Sequence, residues 1–319
     1  MDISKTIRIE TIEELQNFLS PIGKYKQFYQ KENEYLFRGE GSDLNALIPS
    51  LFREDAIKVL YYSLRADIPS EEELLYEKTL QEIELKSLIR FYKLANNEGI
   101  PLPDSQILKS SQIWLNADYI PTGEEWLPKD LLDLFSLARH YEFPTRLIDW
   151  SDNIYTALYF ACSNALKART SNGNMIIYIL DQTALRKTSF PIKFVRPLRF
   201  YNENARAQYG VLSYLAVENQ LNSTKEKATL STLKANQSLR VDKSPLDQQL
   251  NSYFSEHNSP KKEVLYKIII PKDITKELYI YLDALHYSAE QIFPGLYGVV
   301  RKMVKDEVNW AAFDQSNIK

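Results

Sequence analysis

Apolar residues recur every three or four positions in several stretches of the chain, which predicts amphipathic helices. The clearest stretch covers residues 70–96. Ser70 is its predicted N-cap, and the glutamates that follow suit the positive end of the helix dipole. Further helices are predicted near 12–30, 129–140 and 245–257.

Short, nearly continuous apolar runs predict buried strands between these helices. The runs cover residues 35–37, 175–180 and 264–271. Strands and helices alternate along the chain, which favours a mixed α/β core (α+β), with a mixed sheet flanked by helices, over an all-helical fold.

The pattern predicts one domain over residues 1–319 with three additions to its core. A helical part is expected at about 1–34 and a helical insertion at about 55–135. Residues 215–262 are polar and rich in Ser, Asn, Lys and Gln, which is typical of a surface insertion.

Composition and charge narrow the function classes. Hydrophobic residues make up 44% and charged residues 25% of the 319 positions, as in ordinary globular proteins. The formal net charge of −3 makes nucleic acid an unexpected partner. A local basic patch at Arg196, Arg199 and Arg206 stays possible, and its alternative is a solvated, ion-paired face.

The few cysteines and histidines, and the lack of an apolar leader, predict a cytoplasmic protein without a metal site. With one cysteine, Cys162, the chain cannot form an internal disulfide, which fits a reducing compartment. One thiol and three histidines do not make a zinc site of ordinary spacing, so no metal is expected. We find neither an apolar leader nor a run long enough to span a membrane.

Three segments carry candidate chemistry. Arg38 ends an apolar strand, so its guanidinium either binds a ligand anion or forms a buried ion pair with Glu40 or Asp149. Residues 138–150 combine His, Tyr, Thr, Arg, Asp and Trp at a density that a plain core does not need. His140 there is either a base or a satisfied structural histidine.

The third segment, 204–210, contains Arg206 and Gln208. Their side chains point the same way if the segment is a strand. The alternative is a polar edge or a turn.

These segments resemble the motifs of the FRG domain family. The sequence LFRG at 36–39 resembles the motif that names the family. The sequence HYxxPTRLIDWS at 140–151, followed by ALYFA at 157–161, resembles its longest motif. Segments 206–210 and 292–298 are similar to two further motifs. Arg139 and Glu142 depart from the family pattern, which usually has Gln and Gly there.

A second resemblance is to ADP-ribosyltransferases of the Arg-Ser-Glu type, which begin with an aromatic-Arg-Gly strand. It implies an ADP-ribosyltransferase-like core that uses NAD as a substrate. Catalytic roles then fall to Arg38, Thr145 and a carboxylate, either Asp149 or Glu290, although neither has the expected Glu-x-Glu spacing. The ligand-binding positions would be Phe37, Arg38, Gly39, His140, Arg146, Tyr159, Arg206 and Gln208.

Two main hypotheses of function follow from the resemblance. The first is an NAD-using ADP-ribosyltransferase-like or NAD glycohydrolase-like enzyme in bacterial phage defence. The second is a non-catalytic module of a defence system that senses a nucleotide or a partner protein through the same residues. A nuclease is a third possibility that rests on the arginine cluster alone.

Overall fold

A computed structural model describes residues 3–29, 34–53, 55–109, 125–200, 202–218, 239–257 and 263–313. It confirms a mixed α/β fold with a seven-stranded sheet in the order β1-β9-β5-β2-β4-β7-β6 and a two-stranded sheet of β3 and β8. The strands are β1 Ser4–Arg8, β2 Tyr35–Glu40, β3 Glu125–Trp126, β4 Ile148–Ser151, β5 Asn174–Asp181, β6 Ile192–Val195, β7 Gly210–Leu215, β8 Val217–Glu218 and β9 Leu265–Pro271.

Helices cover both faces of the large sheet. They are α1 Ile12–Leu19, α2 Ala56–Leu64, α3 Glu77–Asn97, α4 Gln106–Lys109, α5 Leu132–His140, α6 Ile154–Ala168, α7 Gln182–Leu185, α8 Glu203–Ala207, α9 Leu246–Glu256, α10 Thr275–Ala284, α11 Ala289–Ile292, α12 Leu296–Arg301 and α13 Glu307–Ala312. Short 3₁₀ turns cover Lys26–Phe28, Ser50–Phe52, Glu73–Leu75, Lys129–Leu131 and Lys272–Ile274, and a π-helical turn, Lys302–Asp306, joins α12 to α13.

The large sheet is split at its centre. Strand β2 pairs with β5 along its whole length, from Tyr35 to Glu40. On its other side, β2 pairs with β4 through Phe37 and Ser151. Strand β4 in turn pairs fully with β7. The two halves, β1-β9-β5-β2 and β4-β7-β6, therefore separate beyond that pair, and space opens between two central strands.

Two hydrophobic clusters fill the two faces of this sheet. Helix α6 packs with Phe37, Ile177 and Ile268 on one face, and Leu36, Trp150 and Ile176 lie in the cluster on the other. Asn153 begins α6 by accepting a hydrogen bond from the Tyr155 amide at 2.8 Å. The burial of successive strand residues on opposite faces explains the apolar runs, because a central strand needs no polar side.

Several local predictions are confirmed, and others need correction. Helices at 129–140 and 245–257 are found as α5, with a 3₁₀ turn before it, and as α9. The helix predicted near 12–30 ends at Leu19, since Pro21 and Gly23 follow it, and β1 precedes it within the part expected to be helical.

The helix predicted from Ser70 begins at Glu77 instead, because Ser70 and Glu73 bond to each other around a separate 3₁₀ turn. Arg206 and Gln208 lie in α8 and at its C-cap rather than in a strand, because Asn202 caps the segment as a helix. Much of the predicted polar insertion, residues 219–238 and 258–262, lies outside the described residues. The division into a core with additions stays a prediction.

Candidate functional site

A cleft of about 900 Å³ opens where β2 and β4 part. One face of α6, the end of α5, and helix α12 with the segment before it complete its walls. Its lining residues are Phe37, Arg38, Gly39, Glu40, Arg53, Arg139, His140, Tyr141, Glu142, Asp149, Trp150, Ser151, Thr156, Ala157, Phe160, Asn164, Glu203, Asn204, Gln208, Gly210, Val211, Leu212, Phe293, Pro294, Tyr297 and Arg301.

Strand β2 gives its three central residues different surroundings. Phe37 joins the core cluster that contains α6. Gly39 also approaches α6, and a Cβ on it would lie 1.8 Å from the Ala157 carbonyl oxygen. Alternation along the strand sends the side chains of Arg38 and Glu40 the other way. Arg38 Nη2 donates to Glu40 Oε1 at 2.5 Å.

Arg38 also bridges the split in the sheet. Its Nη1 donates to the Asp149 main-chain carbonyl of β4 at 2.8 Å and lies 3.6 Å from Asp149 Oδ2. Burial lowers the pKa of the guanidinium, but the charges of Glu40 and Asp149 outweigh burial and leave the pKa above its usual value. The Arg38 side chain is therefore a fixed positive charge between the two halves of the sheet.

Two more arginines join Arg38 in what we call the guanidinium cluster, Arg38, Arg53 and Arg139. Arg139 Nη2 donates to Asp149 Oδ2 at 2.5 Å, and Arg53 Nη2 lies 3.6 Å from Glu40 Oε1. Three cations thus face two carboxylates. Burial and repulsion by Arg38 lower the pKa of Arg53, the most exposed member. The cluster carries a surplus positive charge, which an anionic ligand would relieve.

The guanidinium cluster and the adjacent His140 are also incompletely hydrogen-bonded. The buried nitrogens Arg38 Nε, Arg139 Nε and His140 Nε2 have no hydrogen-bond partner in the part of the chain that the structure describes. Burial, together with the positive charge of Arg139, lowers the pKa of His140 in spite of Asp149. At neutral pH the imidazole is therefore uncharged. Each unpaired buried polar atom calls for an explanation, and a bound ligand would supply one here.

Asp149 is the open carboxylate of the cleft. Burial raises its pKa, but Arg139 and Arg38 lower it further, so the net shift is downward and the group is ionised at neutral pH. About 34% of its side chain is exposed, compared with 7% for Glu40. Asp149 can therefore reach a ligand while it holds two arginines.

The cleft also presents aromatic surface. Phe160, Phe293 and Tyr297 line it, and their rings meet edge to face at about 6 Å between centroids. The Arg301 guanidinium lies 4.3 Å from the centroid of the Phe293 ring. A planar ring system would find stacking partners here.

The structure brings some of the candidate residues into this cleft and leaves others outside. Among the cleft residues are Phe37, Arg38, Gly39, His140, Asp149 and Gln208. Thr145 is fully buried behind the cleft, where its carbonyl accepts from Ser50 Oγ at 3.1 Å and from the Leu51 amide at 3.0 Å. Because Arg53 follows this turn, Thr145 helps to position the guanidinium cluster.

Arg146 forms a buried ion pair away from the cleft. Its Nη2 donates to Glu84 Oε2 at 2.5 Å and its Nη1 to Glu77 Oε2 at 3.1 Å. Trp126 Nε1 donates to the same Glu84 oxygen. Burial raises the pKa of Glu84 although Arg146 opposes it. Arg146 thus ties the segment before β4 to helix α3.

Tyr159, Glu290 and Arg206 also lie outside the cleft lining. Tyr159 is buried, and its hydroxyl donates to Asp306 Oδ2 at 2.7 Å. Glu290 Oε1 accepts from Lys302 Nζ at 2.8 Å, and although burial raises its pKa, Lys302 lowers it on balance. The Arg206 side chain is exposed on α8. Asp149 is therefore the better placed of the two candidate carboxylates.

Sequence reasoning did not propose Arg53, Phe293, Tyr297 or Arg301 for the site. The motif-like segment 292–298 was a signal for two of them, but nothing local marks Arg53 as a neighbour of Arg38. Arg139 was noticed only as a departure from the family pattern. That departure supplies one of the three members of the guanidinium cluster.

Comparison with known protein families identifies the central part of the chain. Residues 33–170 match the FRG domain. The chain contains an FRG domain. The matched residues include β2, α5, β4 and α6, and hence Arg38, Arg139 and Asp149, whereas the motif resemblance extends to about residue 300. Searches of curated proteins and of solved structures found no match.

Within the described ranges, no three or more His, Cys, Asp or Glu side chains are grouped so that they could hold a metal ion. Among the helices of the same ranges, none is long and apolar enough to cross a membrane.

Proposed function

We propose that the cleft of this FRG domain binds a phosphate-bearing nucleotide, with NAD as the first candidate. The observation that carries the proposal is the guanidinium cluster, in which three arginines face two carboxylates at the split in the sheet. Guanidinium groups bind phosphate through paired, charge-assisted hydrogen bonds. A phosphate oxygen would also give the buried nitrogens of Arg38 and Arg139 the partner that they lack within the described chain.

Size and ring chemistry support a dinucleotide. The cleft volume of about 900 Å³ lies within the range of about 300–1,000 Å³ that is usual for small-molecule sites. Phe160, Phe293 and Tyr297 offer stacking surfaces for an adenine or a nicotinamide ring. The aromatic-Arg-Gly strand, which is similar to that of ADP-ribosyltransferases, supports NAD over other nucleotides.

Cleavage of the nicotinamide–ribose bond is a second candidate function, favoured by the position of Asp149. The bond breaks heterolytically, so that nicotinamide leaves with the bonding electrons and the ribose carbon becomes an oxocarbenium-like cation. An ionised carboxylate close to that carbon would stabilise the charge. Water or an acceptor nucleophile would then add to the carbon and lose its proton.

The test combines ligand-induced stabilisation with turnover. Purified protein is heated with and without NAD, and nicotinamide release is measured in parallel for the wild type, Arg38→Ala, Asp149→Asn and the surface control Arg90→Ala. At NAD concentrations 100 times Kd, binding to the native state contributes about 2.7 kcal/mol, and we expect a clear rise in Tm.

Each variant tests one part of the proposal. Arg38→Ala should abolish the NAD-dependent rise in Tm, whereas Arg90→Ala should keep it. If the wild type shows no rise with NAD, with ADP-ribose or with other nucleotides, nucleotide binding is wrong. If NAD binds and no nicotinamide appears, the protein is a sensing module, and if release disappears in Asp149→Asn, the cleavage candidate is supported.

A role in bacterial phage defence is a separate proposal, which rests on the family resemblance. Bacteria that express the wild-type chain or Arg38→Ala are infected and the plaques counted. Protection that requires Arg38 would connect the cleft with defence, and equal plaque numbers with and without the chain would count against the role.

A further inference from the structure

An exposed patch of arginines and aromatic rings borders the cleft. The rim patch, as we call it, consists of Arg196, Arg199, Phe200 and Tyr209. About 88% of Phe200 and 43% of Tyr209 are exposed. Tyr209 stands between Gln208 and Gly210, which both line the cleft. A ligand on the rim patch would therefore lie at the mouth of the cleft.

The rim patch is held in place by the half of the sheet that contains β4. The Asp152 amide, just after β4, donates to the Tyr209 carbonyl at 3.0 Å. Arg196 forms a bidentate pair with the Asp152 carboxylate, and Arg199 approaches the same carboxylate at 3.8 Å. The Arg199 guanidinium lies 5.9 Å from the centroid of the Tyr209 ring. Two cations thus share one carboxylate, which leaves a surplus positive charge beside exposed rings.

Tyr209 adopts an unfavourable backbone conformation. Its φ of +51° lies in the left-handed region, which a residue with an aromatic side chain adopts rarely. The turn between α8 and β7 holds this conformation and leaves the ring partly in solvent. Tyr209 directly follows the C-cap of α8, a position at which helices commonly end in a left-handed residue. Its ring is held beside the Arg199 guanidinium with its other side towards solvent.

We propose that the rim patch binds single-stranded nucleic acid. Guanidinium groups bind backbone phosphates, and exposed aromatic rings stack on unpaired bases. A duplex hides the faces of its bases, and an acidic peptide offers anions but no series of planar rings. The combination of surplus charge and two exposed rings therefore favours a single strand. The formal net charge of −3 gives the chain as a whole no attraction for nucleic acid, so the proposal rests on this patch alone.

The experiment is a titration of fluorescent single-stranded DNA and RNA 12-mers by anisotropy at 50 and 200 mM salt, without NAD. Omitting NAD makes the result independent of the nucleotide proposal. The rim variants are Arg199→Gln and Tyr209→Asn, the latter because asparagine tolerates the left-handed backbone. The controls are Arg90→Gln and Tyr62→Ala. They remove an arginine and a tyrosine from exposed positions that are distant in sequence from the rim patch.

The proposal predicts a defined pattern. Tyr209→Asn should weaken affinity for the single strand about tenfold through lost stacking. Arg199→Gln should reduce the slope of log K against log salt by about 0.7, the value for one phosphate contact on a single strand. The controls should match the wild type.

Three results would overturn the proposal. The first is absence of binding at 50 mM salt, and the second is equal affinity of the rim variants and the controls. The third is binding of poly-glutamate or duplex DNA as tight as that of the single strands, which would mean that the patch recognises charge alone.

Discussion

At the residue scale, adjacent side chains of β2 serve different needs because they alternate between the two sides of the strand. Phe37 belongs to the core against α6, and Gly39 allows the strand to approach the α6 backbone. Arg38 points the other way and joins the two halves of the sheet. The FRG sequence therefore combines packing, close approach and charge within three positions.

The close approach at Gly39 gives a stability prediction. Because a Cβ would meet the Ala157 carbonyl oxygen at 1.8 Å, Gly39→Ala should lower the free energy of unfolding by about 3 kcal/mol. Gly99→Ala is the matched control, since its Cβ would meet nothing within 4 Å and only its φ of +67° costs energy, about 1 kcal/mol. Urea denaturation measures both, and equal losses would contradict the argument.

At the element scale, a buried group of charges joins helix α3 to the segment that leads into β4. Glu77 and Glu84 both pair with Arg146, which leaves one surplus negative charge out of contact with water. Burial, and to a smaller extent the charge of Glu77, keeps the pKa of Glu84 raised although Arg146 lowers it. The group of charges also gives Arg146 a structural role that its place in a dense polar motif did not reveal.

Removal of Arg146 should destabilise the chain more than removal of a carboxylate. Arg146→Met leaves two buried carboxylates unpaired, and we expect a loss of about 3–5 kcal/mol. Glu84→Gln keeps an acceptor oxygen and leaves the Arg146–Glu77 pair, so about 1–2 kcal/mol is expected.

The loss in Arg146→Met should depend on pH. Without the arginine, the pKa of Glu84 in the folded state rises further above its value in the unfolded state. Protonated Glu84 therefore contributes stability at low pH, and this contribution is lost as the pH rises through the folded-state pKa. Urea denaturation at pH 5 and pH 8 should therefore show the smaller loss at pH 5. A loss that does not depend on pH would mean that packing, rather than charge, causes it.

At the scale of the whole molecule, the split sheet couples stability to the charge of the cleft. The pKa of His140 is lower in the folded chain than its ordinary value of 6.5, chiefly because of burial. The unfolded chain therefore binds the proton more readily. The stability contributed by neutral His140 is complete above pH 6.5 and is lost as pH falls below it towards the folded pKa.

The His140→Gln variant should remove this dependence. We expect the wild type to lose stability more steeply than the variant below pH 6.5, with parallel curves above that pH. His257→Gln is the control, because its imidazole is exposed on the surface. Urea denaturation from pH 5 to 8 gives the comparison, and parallel curves over the whole range would show that His140 does not titrate against folding.

The amino-acid sequence by itself determined several elements and the motif residues of this protein. Continuous apolar runs predicted strands β5 and β9, because buried strands need no polar side. The helical spacing of apolar residues predicted helices α5 and α9. The motifs marked Arg38, His140 and Asp149, which the fold brings into one cleft.

Only the tertiary structure decided which of the marked residues meet. Alternating charged and apolar residues at the N-terminus became β1, because pairing with β9 supplies hydrogen bonds that no local pattern shows. The side chains of Arg146 and Tyr159 lie outside the cleft. They donate hydrogen bonds to buried carboxylates on distant elements, Glu84 and Asp306 respectively. Arg53 joined Arg38 because a turn held by Thr145 places it there, and contacts of this range depend on chain topology, which local sequence does not encode.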